Sequence, residues 1–430
     1  MVFETYLASI FYTLLSLSIL FLSRYNSVLY FTVFYLIVKF LLIYIFNNLP
    51  SSQDNFFYTD DQAHYLHGLN YIYASLNEYN LLNLLNFHEI NNSSNVNGLP
   101  NGTSYMIIGG VFYYFFNNIL SPHDTLILLN FIVIYLNIFI LYIWMTDLKV
   151  DKKVVFIMIA IYLNLPMTNY YASLAMKDIY LSFLSTALLY SLWRFINNNN
   201  KFIFIIITLT FMIYLDRWYI LFFIYIPLSI YYFFKLRGLL LKVLIVVSST
   251  LFLFYIFQKV PWQMGTILNG YGHNQGGFFT HVPIYLKFLL SPLIALKFLI
   301  SPNLVSLVNE KSGPASYFFA YLYSIQLVLP FYMILLFRKF INHKNIKLNY
   351  DMFKNSLGFI IFIVLFFFIS FSTFYSSSHG RAREAFIPVL ILVIGFLFPS
   401  KIKNIATNIN IMIFIFISLI ISYLIIKIWV

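Results

Sequence analysis

The sequence predicts an all-α fold: a polytopic integral membrane protein with about 12 transmembrane helices plus external juxtamembrane helices. Apolar residues make up 61% of the chain and charged residues only 9%, and the mean hydropathy is +0.83. This balance is far from that of a soluble domain. Successive windows of about 18–20 residues with almost no charge can each cross a hydrocarbon layer about 30 Å thick.

The predicted spans follow one another through a single membrane domain, residues 1–430. They lie near residues 6–23, 28–47, 125–146, 154–168, 178–195, 202–215, 218–234, 239–256, 315–337, 355–373, 385–399 and 409–427. The first apolar run has no positive segment before it and no small-residue cleavage site after it, so we expect it to be retained rather than removed as a signal peptide.

The placement of lysine and arginine predicts the topology. Most of these residues fall in loops that can all face the cytoplasm, whereas residues 40–148 contain neither type. Because positive residues concentrate on the cytoplasmic side, the acidic segment after the second span is expected outside, with both termini. The net charge of +12 then reports on topology, and we expect no nucleic-acid partner. The absence of cysteine excludes disulfides and thiol chemistry without identifying a compartment.

Two long external loops are predicted, residues 48–124 and 257–314. The run "TSYMIIGGVFYYFFNNIL" at residues 103–120 would invert every later loop if it crossed the membrane. It is short and contains two adjacent glycines, so we interpret it as a helix that lies in or dips into the external interface. In the second loop, proline and spaced lysines interrupt an amphipathic pattern at residues 283–306, which favours juxtamembrane helices there as well.

The first external loop begins with "FFYTDDQAHYLHGLNYIY", residues 56–73, which places two carboxylates at the start of a helical run. Asp61, His64 and Tyr65 share one helix face at i, i+3 and i+4. One carboxylate can serve as a general base, with its neighbours in support. Two alternatives remain open: Asp60 and Asp61 as helix N-terminal caps, and a divalent cation bound by Asp60, Asp61 and His64.

Further charged residues border the later spans on the same predicted side. They are Lys177 and Asp178 in "AMKDIY", Asp216 and Arg217 in "YLDRWY", and His379, Arg381, Arg383 and Glu384 in "HGRAREAF". The first two pairs can also be local ion pairs at span ends. Arginines on the external side oppose the positive-inside bias, and their planar side chains suit phosphate oxygens. A shared external cavity that binds an anion is therefore the economical hypothesis.

A lipid-linked sugar diphosphate matches such a cavity, because its tail needs an apolar groove and its diphosphate needs fixed cations. During glycosyl transfer, a carboxylate accepts the acceptor proton while arginines stabilise the leaving diphosphate. Candidate general bases are therefore Asp60 and Asp61, with His64 as a third catalytic candidate. Asp178, His379, Glu384 and Tyr65 are candidate supporting residues.

These stretches resemble a known family. The acidic pair before a helix in the first external loop, the Lys-Asp of "NLPMTNYYASLAMKDIYLSFLSTALLYSLWRF" and the late "HGRAREAFIP" look like the C-type membrane glycosyltransferases, especially bacterial O-antigen and capsule repeat-unit polymerases. The resemblance implies that Asp60 or Asp61 is the acidic catalytic residue. It also implies diphosphate contacts by Lys177, Arg217, Arg381 and Arg383.

The sequence therefore leads us to expect a glycosyltransferase of the polysaccharide polymerase type in the bacterial inner membrane, with its active site facing the periplasm. Its expected partners are a polyprenyl-diphosphate-linked oligosaccharide, the lipid bilayer and a chain-length regulator. We expect no particular cofactor, and a requirement for a divalent cation remains open. A single-sugar transferase of the same family and a flippase or transporter of the lipid-linked oligosaccharide are the alternatives.

Overall fold

The computed structural model describes residues 60–79, 102–163, 168, 171–172, 175–197, 199–235, 286, 290 and 384–397. Across these ranges the chain is predominantly helical and contains no strand. The helices are α1 (Asp60–Asn77), α2 (Thr103–Phe116), α3 (Pro122–Asp147), α4 (Lys152–Leu163), α5 (Asp178–Ile196), α6 (Ile203–Arg217), α7 (Tyr219–Lys235) and α8 (Ile387–Leu397), with a 3₁₀ turn at Asn200–Phe202. The first two and last predicted spans, those at residues 239–256, 315–337 and 355–373, and nearly all of the second external loop lie outside this description.

Helices α3 and α5 are long and apolar enough to cross a membrane, judged by length and composition. The start of α3 is fixed locally, because Ser121 Oγ accepts a hydrogen bond from the backbone N–H of Asp124 at 3.1 Å and Pro122 occupies the first helical position. With 26 residues, α3 extends for about 39 Å, more than a hydrocarbon layer requires. Nearly all of its inward side is apolar and buried.

Helices α3 to α6 alternate in direction, and ion pairs mark both ends of the bundle. Asp147 Oδ2, at the end of α3, lies 3.6 Å from Nη1 of Arg194 in the last turn of α5. Arg217 Nη2, at the end of α6, lies 3.2 Å from Oδ1 of Asp178 at the start of α5. Helices α3 and α5 are therefore parallel and α6 is antiparallel to them. We name the two ends the Asp147 end and the Asp216 end; along α5, the charges are separated by about 24 Å.

Helices α1 and α2 form a closely packed pair at the Asp216 end. A Cβ atom added at Gly110 would lie 2.5 Å from Ile72 Cβ, and one at Gly109 would lie 2.6 Å from Leu126 Cδ2. The two glycines therefore let α2 approach α1 on one side and α3 on the other. The Tyr105 hydroxyl, in the first turn of α2, donates to Asn130 Oδ1 at 3.2 Å. Helix α2 consequently begins beside Asn130 and leads back toward the start of α3.

One face of α6 exposes large apolar side chains at helical spacing. Phe204, Ile207, Phe211 and Tyr214 are between 42% and 77% exposed, whereas Ile206 and Ile213 on the opposite face are buried. Water is a poor solvent for such a continuous apolar stripe, and acyl chains are a good one. The arrangement supports membrane association of the bundle.

Candidate functional site

The central feature of the Asp216 end is a carboxylate from α6 that caps the N-terminus of α2. Asp216 Oδ1 accepts hydrogen bonds from the backbone N–H of Ser104 at 2.9 Å and of Tyr105 at 3.3 Å. Asp216 Oδ2 accepts the Ser104 hydroxyl at 2.6 Å. Helix α2 has no capping side chain of its own. Asp216 therefore satisfies orphan donors and opposes the positive end of the helix dipole from a distant part of the chain.

Lys177, at the start of α5, also binds Asp216. Its Nζ atom donates to the backbone carbonyl of Asp216 at 3.0 Å and lies 5.5 Å from the centroid of the Tyr65 ring. The side chain is completely buried. It therefore stabilises a carbonyl near the C-terminus of α6, where a cation is favoured by the helix dipole.

Gly102 lies where these groups converge, and its backbone is in the left-handed region with φ of 83°. Its N–H donates to the Asp216 carbonyl at 3.3 Å. A Cβ atom at this position would lie 2.6 Å from Tyr65 Cε1 and 3.1 Å from Lys177 Cδ. Glycine is thus required here both by conformation and by close packing.

The second ion pair of this end joins Arg217 to Asp178. Asp178 is buried in the first turn of α5, where a carboxylate is favoured by the helix dipole, and the Arg217 side chain keeps 14% of its surface exposed. With Lys177 and Asp216, these residues form what we call the charge cluster: Lys177, Asp178, Asp216 and Arg217. Two cations and two anions give it no formal net charge, which limits the cost of burying them.

Asp216 follows the predicted span of residues 202–215 and is ionised against a substantial desolvation cost. Burial raises the pKa of this carboxyl from its ordinary value of 3.8 to about 6. The Lys177 ammonium and the hydrogen bonds from Ser104 and Tyr105 oppose that rise because they stabilise the charged form. At neutral pH the carboxylate is thus maintained by its partners.

Helix α1 carries the predicted catalytic residues to this cluster. The Tyr65 ring meets the Tyr105 ring edge-on with centroids 5.7 Å apart, and His64 beside it is also buried. Asp60 and Asp61 form the first turn of α1, one turn before Tyr65. Their side chains lie outside the described residues. The structure therefore brings Tyr65 to Lys177 and pairs Asp178 with Arg217, while His64 lies beside Tyr65 on α1.

Glu384, a predicted supporting residue, lies just before α8 and is buried. The Thr168 hydroxyl donates to Glu384 Oε2 at 2.9 Å. His379, Arg381 and Arg383 lie outside the described residues, so their roles as supporting residue and diphosphate contacts stay predictions.

Among the described residues, no group of three His, Asp or Glu side chains could hold a metal ion. The Asp60 and Asp61 side chains lie outside the described residues, so the cation alternative also stays a prediction.

Several members of this site were not identified from the sequence. Ser104 stands in "GTS" before an apolar run and resembles an ordinary local cap, and Tyr105 and Tyr180 are two of 36 tyrosines. Ser104 Oγ lies 3.2 Å from the Tyr180 hydroxyl oxygen. The carboxylate that Ser104 binds, Asp216, is 112 residues away in the sequence. The only signal was the presence of unexplained charges at several span ends.

Comparisons with known proteins add no relative: no family model, no curated protein and no solved structure matches the chain.

Proposed function

We propose that this protein is a multi-pass membrane glycosyltransferase that uses polyprenyl-diphosphate-linked sugars at the periplasmic face of a bacterial inner membrane, as a polymerase of O-antigen or capsule repeat units. The observation that carries the proposal is the convergence of α1 with the charge cluster. A helix that starts with two carboxylates packs on α2, whose first turn is capped by Asp216 of α6, and its Tyr65 ring faces Lys177 at the start of α5. Arg217, at the end of α6, retains exposed surface. An acid–base group and cations are thus available at one end of an apolar bundle.

The reaction needs both kinds of group. The acceptor hydroxyl attacks the anomeric carbon of the donor sugar, the bond from that carbon to the diphosphate oxygen breaks, and polyprenyl diphosphate leaves with the bonding electron pair. In this proposal the acceptor proton passes to Asp60 or Asp61, and His64 acts beside them. Arg217, Arg381 and Arg383 stabilise the negative charge that develops on the leaving group. Lys177 is completely buried and donates to the Asp216 carbonyl, so its predicted contact with the diphosphate requires a movement that exposes its ammonium.

Charge distribution along the helices supports an active site at one membrane face. In the described segments, every Asp, Glu, Lys and Arg lies in the first or last turn of a helix or between helices. A carrier of lipid-linked oligosaccharide would be expected to place charged groups near the middle of its spans. The described interior of α3 and α5 contains neutral polar groups instead, such as Asn137, which donates to Tyr162 Oη at 3.0 Å and Ser182 Oγ at 3.1 Å.

The two ends also differ in charge, which supports the proposed orientation. The Asp147 end gathers positive residues: Lys149, Lys152, Lys153, Arg194 and Lys201. Trp144, Tyr190 and Trp193 are in ring contact beside Arg194, as expected of aromatic side chains at a membrane interface. The Asp147 end therefore suits the cytoplasm, and the Asp216 end the periplasm. With the remaining predicted spans, the chain has about 12 crossings and both termini outside.

A chain-length assay of surface polysaccharide tests the proposal. We expect a strain that lacks this gene to display a single repeat unit on its acceptor, and the wild-type gene to restore a ladder of chains. Replacing Asp60→Asn or Asp61→Asn removes a base while preserving size, so one of them should fail to restore the ladder. Arg381→Ala with Arg383→Ala should also abolish the ladder at an unchanged amount of membrane-inserted protein.

The matched control is Asp147→Asn, which alters a carboxylate at the opposite end and should leave the ladder intact. A persistent ladder with an altered repeat would replace the polymerase by a transferase that adds one sugar. Loss of every external repeat would favour the flippase. Normal ladders in both aspartate variants would refute the acidic catalytic residue, and normal activity in the double arginine variant would remove the diphosphate role.

A further inference from the structure

Asp216 connects three elements through one residue. Its carboxylate binds the first turn of α2 through Ser104 and Tyr105, and its own carbonyl accepts from Lys177 Nζ and from Gly102 N–H. The residue itself belongs to the last turn of α6. Buried hydrogen bonds consequently fix the start of α2, the start of α5 and the end of α6 with respect to one another.

Helix α1 takes its position from these elements. Tyr65 packs over Gly102, contacts the Tyr105 ring and faces the Lys177 ammonium. Further along the same face, Leu69 and Ile72 pack on Gly109 and Gly110 of α2. A shift of the first turn of α2 would therefore move Tyr65 and with it the first turn of α1.

The distance from this anchor to the predicted base is short. Tyr65 follows Asp61 by four residues, which is about 6 Å along a helix axis. A helix transmits a displacement over one turn with little loss, and misplacement of a reacting group by about 1 Å can reduce a rate by about 100-fold. Asp216 can therefore influence the reaction without contact to the substrate.

We propose that Asp216 is a positioning residue: by capping α2 from the end of α6, and through Tyr65, it sets where the carboxylates at the start of α1 stand relative to Arg217. The inference depends on the proposed function only for its catalytic consequence. Its structural consequence is the position of α1, and this position can be measured even in catalytically inactive protein.

The test uses pairs of spin labels, since the chain contains no cysteine and single cysteines can be placed freely. Asn70→Cys on α1 and Thr208→Cys on α6 are at exposed positions and report the position of α1 relative to the bundle. Thr146→Cys with Thr208→Cys reports on the bundle itself. We expect Asp216→Ala to broaden or shift the 70–208 distance distribution by pulsed electron resonance and to leave the 146–208 distribution unchanged.

Conservative replacement separates positioning from a general loss of structure. Asp216→Asn keeps an oxygen that can accept from the Ser104 and Tyr105 N–H groups, so it should restore the 70–208 distance and part of the ladder. Asp216→Ala should reduce ladder formation by about tenfold or more at equal protein amount. Asp147→Ala, the matched carboxylate deletion at the opposite end, should change neither the 70–208 distance nor the ladder.

An unchanged 70–208 distribution in Asp216→Ala would overturn the inference, whatever the activity. If Asp216→Ala disturbs both label pairs, Ser104→Ala decides, because it keeps the Asp216 carboxylate and its bonds to the backbone of α2 while removing the 2.6 Å hydroxyl bond to Asp216 and the 3.2 Å contact with Tyr180. A change in Ser104→Ala confined to the 70–208 pair supports the inference, and no change contradicts it. Failure of the proposed function alone would appear differently: the distances would respond as expected while the deletion strain kept a normal ladder.

Discussion

At the scale of single residues, the buried charges at the Asp216 end form partnerships across helices. Lys177 and Asp178 are adjacent in sequence, yet Lys177 donates to the Asp216 carbonyl and Asp178 meets Arg217. Asp178 and Arg217 complement the dipoles of the helix ends that carry them, whereas the Asp216 carboxylate complements the start of α2 and the Lys177 ammonium the end of α6. These contacts compensate the four charges in a water-poor region. Removing any one of the four residues would leave an uncompensated buried charge.

The raised pKa of Asp216 predicts a specific dependence of stability on pH. Because the folded state holds the proton up to about pH 6 while the unfolded chain releases it near 3.8, the folded state binds more protons in this window. The free energy of unfolding contributed by this group therefore falls as pH rises from about 4 to about 6. Thermal unfolding of the purified protein in detergent, compared with Asp216→Asn, measures the contribution.

Asp216→Asn cannot ionise, so the stability of the wild type relative to this variant should decline across that window. A relative stability that rises over the same range would mean that the partners of Asp216 lower its pKa, and the account of its desolvation would be wrong.

The sequence identified the charged residues of this region but not their partners. Charge at a span end is visible in "AMKDIY" and "YLDRWY", because little else in those stretches is polar. The choice between a local pair and a pair with another helix depends on which helix ends meet in space. Ser104 illustrates the limit: a serine before an apolar run predicts a local cap, and the structure instead attaches it to a carboxylate on another helix.

At the scale of elements, α1 and α2 depend on glycine to pack closely. Gly110 faces Ile72 Cβ, an atom fixed to the backbone of α1, whereas Gly395 in α8 faces Cγ of the flexible Met158 side chain. A methyl group at position 110 cannot be accommodated by a rotamer change. The close approach explains why an apolar segment of this length contains two adjacent glycines.

Gly110→Ala is expected to separate α1 from α2 and to lower the free energy of unfolding by about 1–3 kcal/mol, through overpacking. Thermal unfolding in detergent measures the change. Gly395→Ala is the matched control and should cost clearly less, because the Met158 side chain can move. Equal effects of the two substitutions would contradict the close contact between α1 and α2.

Hydrophobic runs predicted the described helices well, and helix ends less well. The run at residues 125–146 corresponds to α3 at Pro122–Asp147, and 178–195 to α5 at Asp178–Ile196. Helix α3 starts earlier than expected because Ser121 and Pro122 provide a start signal that hydropathy does not weigh. The apolar run at residues 103–120 is helical as α2, which ends at Phe116 before Asn117 and Asn118, and its place in the external interface stays a prediction.

At the scale of the whole molecule, the helical bundle has two chemically distinct ends. One end is rich in lysine and arginine, with tryptophan and tyrosine beside them; the other holds a neutral charge cluster and the start of α1. The two ends are separated by about 24 Å, which is close to the thickness of a hydrocarbon layer. This polarity supports our proposal of a glycosyl transfer site at the Asp216 end.

The most direct test of that central claim is the release of polyprenyl diphosphate by the purified protein. The protein is reconstituted in lipid nanodiscs with a polyprenyl-diphosphate-linked repeat unit, and free lipid diphosphate and oligosaccharide length are measured together. We predict that each lengthening of the chain by one repeat unit releases one molecule of polyprenyl diphosphate, and that Asp60→Asn or Asp61→Asn stops both. Movement of the intact lipid-linked unit across the bilayer without release of the lipid would contradict a transferase and identify a carrier.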